Sequence, residues 1–163
     1  MSMTSTMAGK ALPNPLVRPI EGCIGLFKSI PIWPVTLLAR FSLAAVFWMS
    51  ARTKVDEGTL FSLSDNAVWL FREEYKLPLI PPDIAAYVSL VGEHLFPILL
   101  AIGLASRFSA LGLLFMTTII EVLVYPAAYP VHGPWAVCCL VIMIFGPGFL
   151  SLDTLVARMF SRK

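Results

Sequence analysis

Apolar residues along this chain gather into four long runs separated by polar breaks, Trp33 to about Ala51, Asp83 to Leu104, Ser109 to Tyr125 and Pro134 to Leu150. Crossing a hydrocarbon core about 30 Å thick takes roughly 17–25 residues, and the third run is at the short end of that range. Lipid offers no partners to the backbone, so such runs predict helices. Start and stop signals agree. Pro34 suits the first turn of one helix, and Pro82-Asp83 precedes another. Gly133-Pro134 opens the fourth, and Gly146-Pro147-Gly148 loosens its end. Pro97 falls inside the second, where it predicts a kink that neighbouring helices compensate.

Outside these runs the pattern changes. Pro13, Pro15, Pro19 and Pro31 interrupt the first thirty residues, which lack the unbroken apolar core of a secretory signal. A flexible tail is expected there, followed by a short interfacial segment around Ile24 to Ile30. In the long first loop, Ser64-Asp65 forms an N-cap pattern, with Trp69, Leu70, Phe71 and Tyr75 following at helical spacing. This predicts a short amphipathic helix, about Asp65 to Lys76, at the outer interface. It serves either as a lid over the bundle or as a loop anchor. The expected layout is a tail over 1–30, a membrane domain over 31–157 and a basic tail over 158–163.

Composition turns the pattern into a class. The chain is 58% hydrophobic and 13% charged, with mean hydropathy +0.81. An average soluble domain is about 45–50% apolar and about 25% charged. The expected fold is all-α, a four-transmembrane-helix bundle in contact with the lipid bilayer. The net charge of +2 is scattered along the chain, which argues against a nucleic-acid partner. Lys10, Arg18, Lys28, Arg107, Arg158, Arg162 and Lys163 fall on one side of four spans, whereas the loop from Pro126 to Gly133 has no Lys or Arg. The positive-inside rule then places both termini in the cytoplasm.

Ionisable residues within spans are expensive and face the protein interior. At about 1.5 Å per residue, Arg40 lies about 10 Å into the first span, Glu93 about 15 Å into the second and Glu121 about 18 Å into the third. Arg40 and Glu93 lie at similar depths on adjacent helices and are expected to form a buried ion pair that pins helix register. His94 lies to the side of the Ser89–Glu93–Pro97 stripe, either as a hydrogen-bonded core residue or as a secondary ligand. Thr117, Glu121 and Tyr125 form another stripe leading to the outer surface. There Arg52, Lys54 and His132, near Trp135, are expected to join Glu121 and Tyr125 in a polar pocket, with Arg52 or Lys54 snorkelling toward Glu121. Such a pocket suits a quinone head group. His132 is expected in a loop. No metal-ligand spacing, P-loop, dinucleotide fingerprint or nucleophile elbow is present. Cys23, Cys138 and Cys139 include no C-x-x-C, and the adjacent pair is expected to act as small hydrophobes rather than as redox centres.

Ser50-Ala51-Arg52-Thr53-Lys54-Val55, Phe71-Arg72-Glu73-Glu74-Tyr75-Lys76-Leu77-Pro78 and Glu93 follow one another along the chain. The Gly103-x-x-x-Arg107 turn, Tyr125-Pro126 and Gly146-Pro147-Gly148 with Ser151-Leu152-Asp153 complete the series. In the order and spacing of these motifs, the chain from Leu38 to Leu155 resembles the DoxX family. Ala51 stands where the family usually has glycine. The resemblance implies a four-helix protein of the bacterial inner membrane. It also implies links to thiosulfate:quinone oxidoreductase subunits, to complexes for oxidative or thiol stress and to operons for metal-binding peptides. It transfers no catalytic residue. Two functions follow as expectations. One is a subunit of, or support for, a quinone-linked redox complex, at most a membrane oxidoreductase subunit. The other is a non-enzymatic accessory protein, which docks a membrane or periplasmic partner, self-associates as a homo-oligomer or carries a small solute.

Overall fold

The structure, a computed structural model, describes residues 17–161. The chain divides into two units between Pro31 and Ile32. The first contains α1 (Arg18–Lys28), with Pro19 in its opening turn, Glu21 near its N-terminus and Lys28 at its C-terminus. Both charges match the helix dipole. The helix therefore begins ahead of the Ile24 expected for an interfacial segment. The tail before it lies outside the described residues.

The second unit is helical, its only β feature among the described residues being one bridge between Val55 and Leu63. It comprises α2 (Trp33–Arg52), α3 (Asp65–Trp69), α4 (Pro82–Ile102), α5 (Ser106–Ile119), α6 (Tyr129–Phe145) and α7 (Leu152–Phe160). Single π-helical turns extend α3 over Leu70–Tyr75 and α5 over Ile120–Val124. Trp33–Arg52, Pro82–Ile102 and Ser106–Val124 are long and apolar enough to cross a membrane; α6 is a shorter apolar helix of 17 residues.

Helices that are apolar on every side need either a large core or lipid around them. Here α2 packs on α4 and α6, and α5 packs on the same two, which makes a four-helix bundle. Its core joins Leu43, Phe47, Leu100, Leu113 and Ile142 with Ala39, Ala44, Ala110 and Cys139. Small residues let the helices approach closely, as in membrane bundles, where lipid removes the usual hydrophobic drive. At Gly112 a Cβ would come within 2.5 Å of the Phe96 ring, so the glycine makes room for that ring. The outward residues, such as Leu38, Phe108 and Phe115, remain exposed on the protein and meet lipid. The chain is a multi-pass membrane protein.

Two elements differ from expectation. The fourth apolar helix starts at Tyr129 rather than Pro134 and ends at Phe145 rather than Leu150. Pro130 fits its first turn, whereas Pro134 lies inside the helix and leaves the Pro130 carbonyl without its intrahelical donor. His132 is thereby in a helix, not a loop. Gly146, at φ +80, ends the helix. The second difference is α7, which crosses the 157/158 boundary expected for a basic tail. Its Ser151 N-cap accepts from the Thr154 N–H. The Gly146–Ser151 connection is tied down rather than loose, because the hydroxyls of Ser151 and Thr154 both donate to the Gly148 carbonyl.

Candidate functional site

Each buried charge has taken a specific partner. Lys54 lies just past the C-terminus of α2, where its N–H bonds the Ala51 carbonyl and keeps the chain turning. Its ammonium points back along α2 to the Ser50 hydroxyl at 2.9 Å and reaches Glu93 Oε2 at 2.7 Å. The Lys54 and Glu93 side chains are 6% and 2% exposed. Ser89, one turn before Glu93 on α4, donates to Oε1 at 2.9 Å. Glu93 is thus held by a cation and a hydroxyl in an almost fully buried site.

The expected Arg40–Glu93 pair does not form. Arg40 lies near the opposite end of α4, where the last turn of the helix leaves carbonyls without intrahelical donors. Its guanidinium donates to Leu100 at 2.8 Å, Ala101 at 2.9 Å, Pro147 at 2.9 Å and Leu150 at 2.7 Å. The five-donor fork suits several carbonyls at once, and a cation also complements the dipole there. Arg40 therefore fastens α4 to the 146–151 connection, while Lys54, at Glu93's own level, takes the carboxylate.

The π turns assemble the end of the bundle where α4 begins and α5 ends. In each, the i→i+5 bond shifts the following side chains off the α-helical register. The Lys76 N–H bonds the Phe71 carbonyl, and the Tyr125 N–H bonds the Ile120 carbonyl. The two turns pack against each other. Tyr75 and Tyr125 meet edge to face with ring centres 5.9 Å apart, and the Tyr125 hydroxyl donates to the Glu74 carboxylate. Phe71 and Tyr75 cover Ala85 and Ala86 of α4. Burial pushes the Tyr75 phenol above the ordinary tyrosine value, and the nearby Glu93 and Glu74 charges add to this. Tyr125 is also raised, first by burial and then by its bond to Glu74.

A second acid lies apart from this group. Glu121 Oε2 is 2.6 Å from His132 Nδ1, with side-chain exposures of 21% and 8%. Trp135 packs on the His132 ring at 5.0 Å and on Phe47 at 5.5 Å. Of the five pocket candidates, only Glu121 and His132 bond each other. Neither Arg52 nor Lys54 snorkels to Glu121: Arg52 donates to the Thr59 carbonyl, and Lys54 is held by Glu93. His94 is buried, and its Nδ1 donates to the Leu90 carbonyl at 2.9 Å. Its Nε2 has no hydrogen-bond partner and lies beside the Trp48 and Phe61 rings. Among the described residues no three His, Cys, Asp or Glu side chains come together as a metal site.

Glu74, Tyr75 and Asp153 are the residues whose roles sequence alone misses. The first two were visible as a Glu-Glu-Tyr run, but nothing in spacing marks a π turn. A DoxX family model matches residues 35–126, from the first turn of α2 through Tyr125 and Pro126. The chain belongs to the DoxX family. That DoxX segment includes Lys54, Glu74, Tyr75, Glu93, Glu121 and Tyr125, and it ends before His132. A Haemophilus influenzae protein described as uncharacterized is similar as well, 30% identical over 142 residues, 78% of this chain and 86% of that protein. No solved structure matches.

Proposed function

We propose that this DoxX protein is a bacterial inner-membrane subunit of, or support for, a quinone-linked redox complex serving oxidative or thiol stress. The observation that supports this best is the Glu121–His132 pair against Trp135. A carboxylate on Nδ1 orients the imidazole and leaves Nε2 for a ligand oxygen, the arrangement used wherever histidine exchanges protons. An aromatic wall beside an oriented histidine and a carboxylate is a donor set that fits a quinone ring and its carbonyls. Bound there, a quinone would supply two-electron chemistry coupled to proton transfer. His132 would accept the hydroxyl of the reduced quinone at Nε2 and take its proton, Glu121 would fix the imidazole through Nδ1–H, and Trp135 would exclude water from one face. Electrons would be exchanged with a partner oxidoreductase.

The reading has four spans, with both termini cytoplasmic and α6 as the fourth crossing. Extraction of lipid-soluble ligands from the purified full chain tests the redox claim. Quinone is expected in extracts of the native protein and strongly reduced in those of Glu121→Gln. If the native protein carries none and neither reduces nor oxidises a soluble quinone analogue in the presence of its membrane partners, the redox reading is wrong. A second reading, a non-enzymatic docking or assembly partner, is favoured by how fully the other charges are used internally. Arg40, Arg52, Lys54 and Glu93 all have partners within the chain. A stable stoichiometric partner in a quinone-free preparation would select it.

A further inference from the structure

The far end of the bundle from Lys54 and Glu93 has a different character. There a groove of about 700 Å³ opens between α5, the end of α6 and α7. Arg107 and Arg158 line it, together with Phe108, Phe145 and Phe149. Among the described residues neither arginine pairs with a carboxylate, the ion pairs being Lys54–Glu93, Arg72–Asp83 and Glu121–His132. Asp153 also borders the groove, but its two oxygens already accept the N–H groups of Ala105 and Ser106 at 2.8 and 2.9 Å. Arg158 is held over the Phe149 ring at 4.7 Å, a cation–π contact that fixes the guanidinium without neutralising it. The buried Ser106 hydroxyl, also in the lining, has no partner.

The groove's level matters as much as its charge. Arg107 is in the first turn of the span Ser106–Val124, so it lies at the edge of the hydrocarbon. Phe108, 78% exposed, continues from the groove onto the lipid-facing side of α5. On the other side of α7 a second groove of about 510 Å³ shares Phe149 and Arg158 with the first. Exposed Leu155, Val156, Met159 and Phe160 on α7 give that helix an apolar face at the same boundary. Cations at head-group depth, above aromatic walls that run into the acyl region, match one kind of molecule.

We infer that the groove between α5, α6 and α7 binds an anionic phospholipid, its phosphate between Arg107 and Arg158 and its acyl chains along Phe108 and Phe145. Basic pockets between helices at the membrane boundary recognise such head groups, and each nearby arginine adds to the attraction. The site is independent of the redox reading and of which leaflet it faces.

Native mass spectrometry of the purified full chain tests it, with phosphatidylglycerol and phosphatidylcholine of matched chains offered at equal concentration. Retention of phosphatidylglycerol is expected to exceed that of phosphatidylcholine by roughly tenfold or more. In R107Q/R158Q the preference should fall to near parity, while R72Q, which removes an exposed arginine elsewhere, should keep it. Equal retention of both lipids by the native chain overturns the proposal, as does a preference that survives R107Q/R158Q. Displacement of phosphatidylglycerol by millimolar inorganic phosphate also overturns it, since the site would then be one for a free anion. Should the double variant fail to fold, hydrogen exchange on the native chain decides: protection by phosphatidylglycerol confined to 105–108 and 145–161 supports the site, and protection elsewhere refutes it.

Discussion

At the scale of single residues, burial decides what a charge is worth. Removing one partner of a buried ion pair leaves the other uncompensated, whereas replacing both by apolar groups is often neutral. Lys54→Met is therefore expected to destabilise the bundle by about 3–5 kcal/mol, and K54M/E93L to recover most of that loss. Thermal unfolding of both variants in one detergent checks it, and similar losses in both would show that the charges themselves stabilise. Arg72 and Asp83 sit 3.4 Å apart at 58% and 66% exposure, so Arg72→Ala should change stability by no more than about 0.5 kcal/mol. Glycine follows the same logic of surroundings. Gly58 and Gly103 both have positive φ, but a Cβ on Gly58 meets nothing, whereas one on Gly103 would lie 2.5 Å from Ser151 Cβ and 2.7 Å from Arg40 Nη2. Gly58→Ala should cost about 1–2 kcal/mol through the backbone alone. Gly103→Ala should cost clearly more, because Arg40 must also release its carbonyls; equal melting losses would refute this.

At the scale of elements, the joints between helices carry the specificity. The N-cap of α5, Ala105, has no side chain to offer, and Asp153 supplies the missing acceptor from the start of α7. Its own N–H bonds the Gly103 carbonyl at 2.9 Å, so α7 docks on the α4–α5 turn from both directions. Asp153→Ala should cost about 1–2 kcal/mol and expose α7 to limited proteolysis; an unchanged cleavage pattern would count against this docking. At the end of the bundle where α4 begins, Tyr75 and Tyr125 tie the two π turns together with raised phenol values. A raised folded value means that the folded state keeps its protons longer than the unfolded one. The stabilisation is complete below the ordinary tyrosine value near 10 and declines as pH rises toward the folded values. Stability should therefore fall above about pH 10, and more steeply in the native chain than in Y75F/Y125F, as melting scans across alkaline pH would show. The sequence announces the four apolar helices and the Ser64 cap, because periodicity and capping are local. It does not announce the joints. Arg40's partners are backbone carbonyls, which no residue pattern marks, and Lys54 reaches Glu93 only because Thr53 and Lys54 continue the turn of α2. The nine residues of α7 carry a helix too short to separate from a loop by hydropathy.

At the scale of the whole molecule, the Asp153 cap bears on how many times the chain crosses the membrane. Asp153 bonds the first N–H groups of α5, so the start of α7 lies at the end of the bundle where α5 begins. If α5 and its π turn cross the bilayer, the chain must cross again between Val124 and Leu152 to return there. Only α6 is available for that crossing, and its 17 residues reach about 26 Å at 1.5 Å per residue. A helix slightly shorter than the hydrocarbon thickness is accommodated by local thinning at modest cost, so its length is no obstacle. Under the four-span reading proposed above, the excess of Lys and Arg on the α7 side puts the first loop outside and the C-terminus inside. Single cysteines make the prediction concrete. In a C23S/C138A/C139A background, Glu57→Cys in the first loop should react with a membrane-impermeant maleimide on intact spheroplasts. Ser161→Cys, just after α7, should react only after the membrane is opened. Labelling of both positions from outside would require either that α6 does not cross or that α7 leaves its dock on α5, and a repeat in D153A separates these outcomes. If both Glu57→Cys and Ser161→Cys are reactive from outside with Asp153 intact, the four-span reading fails.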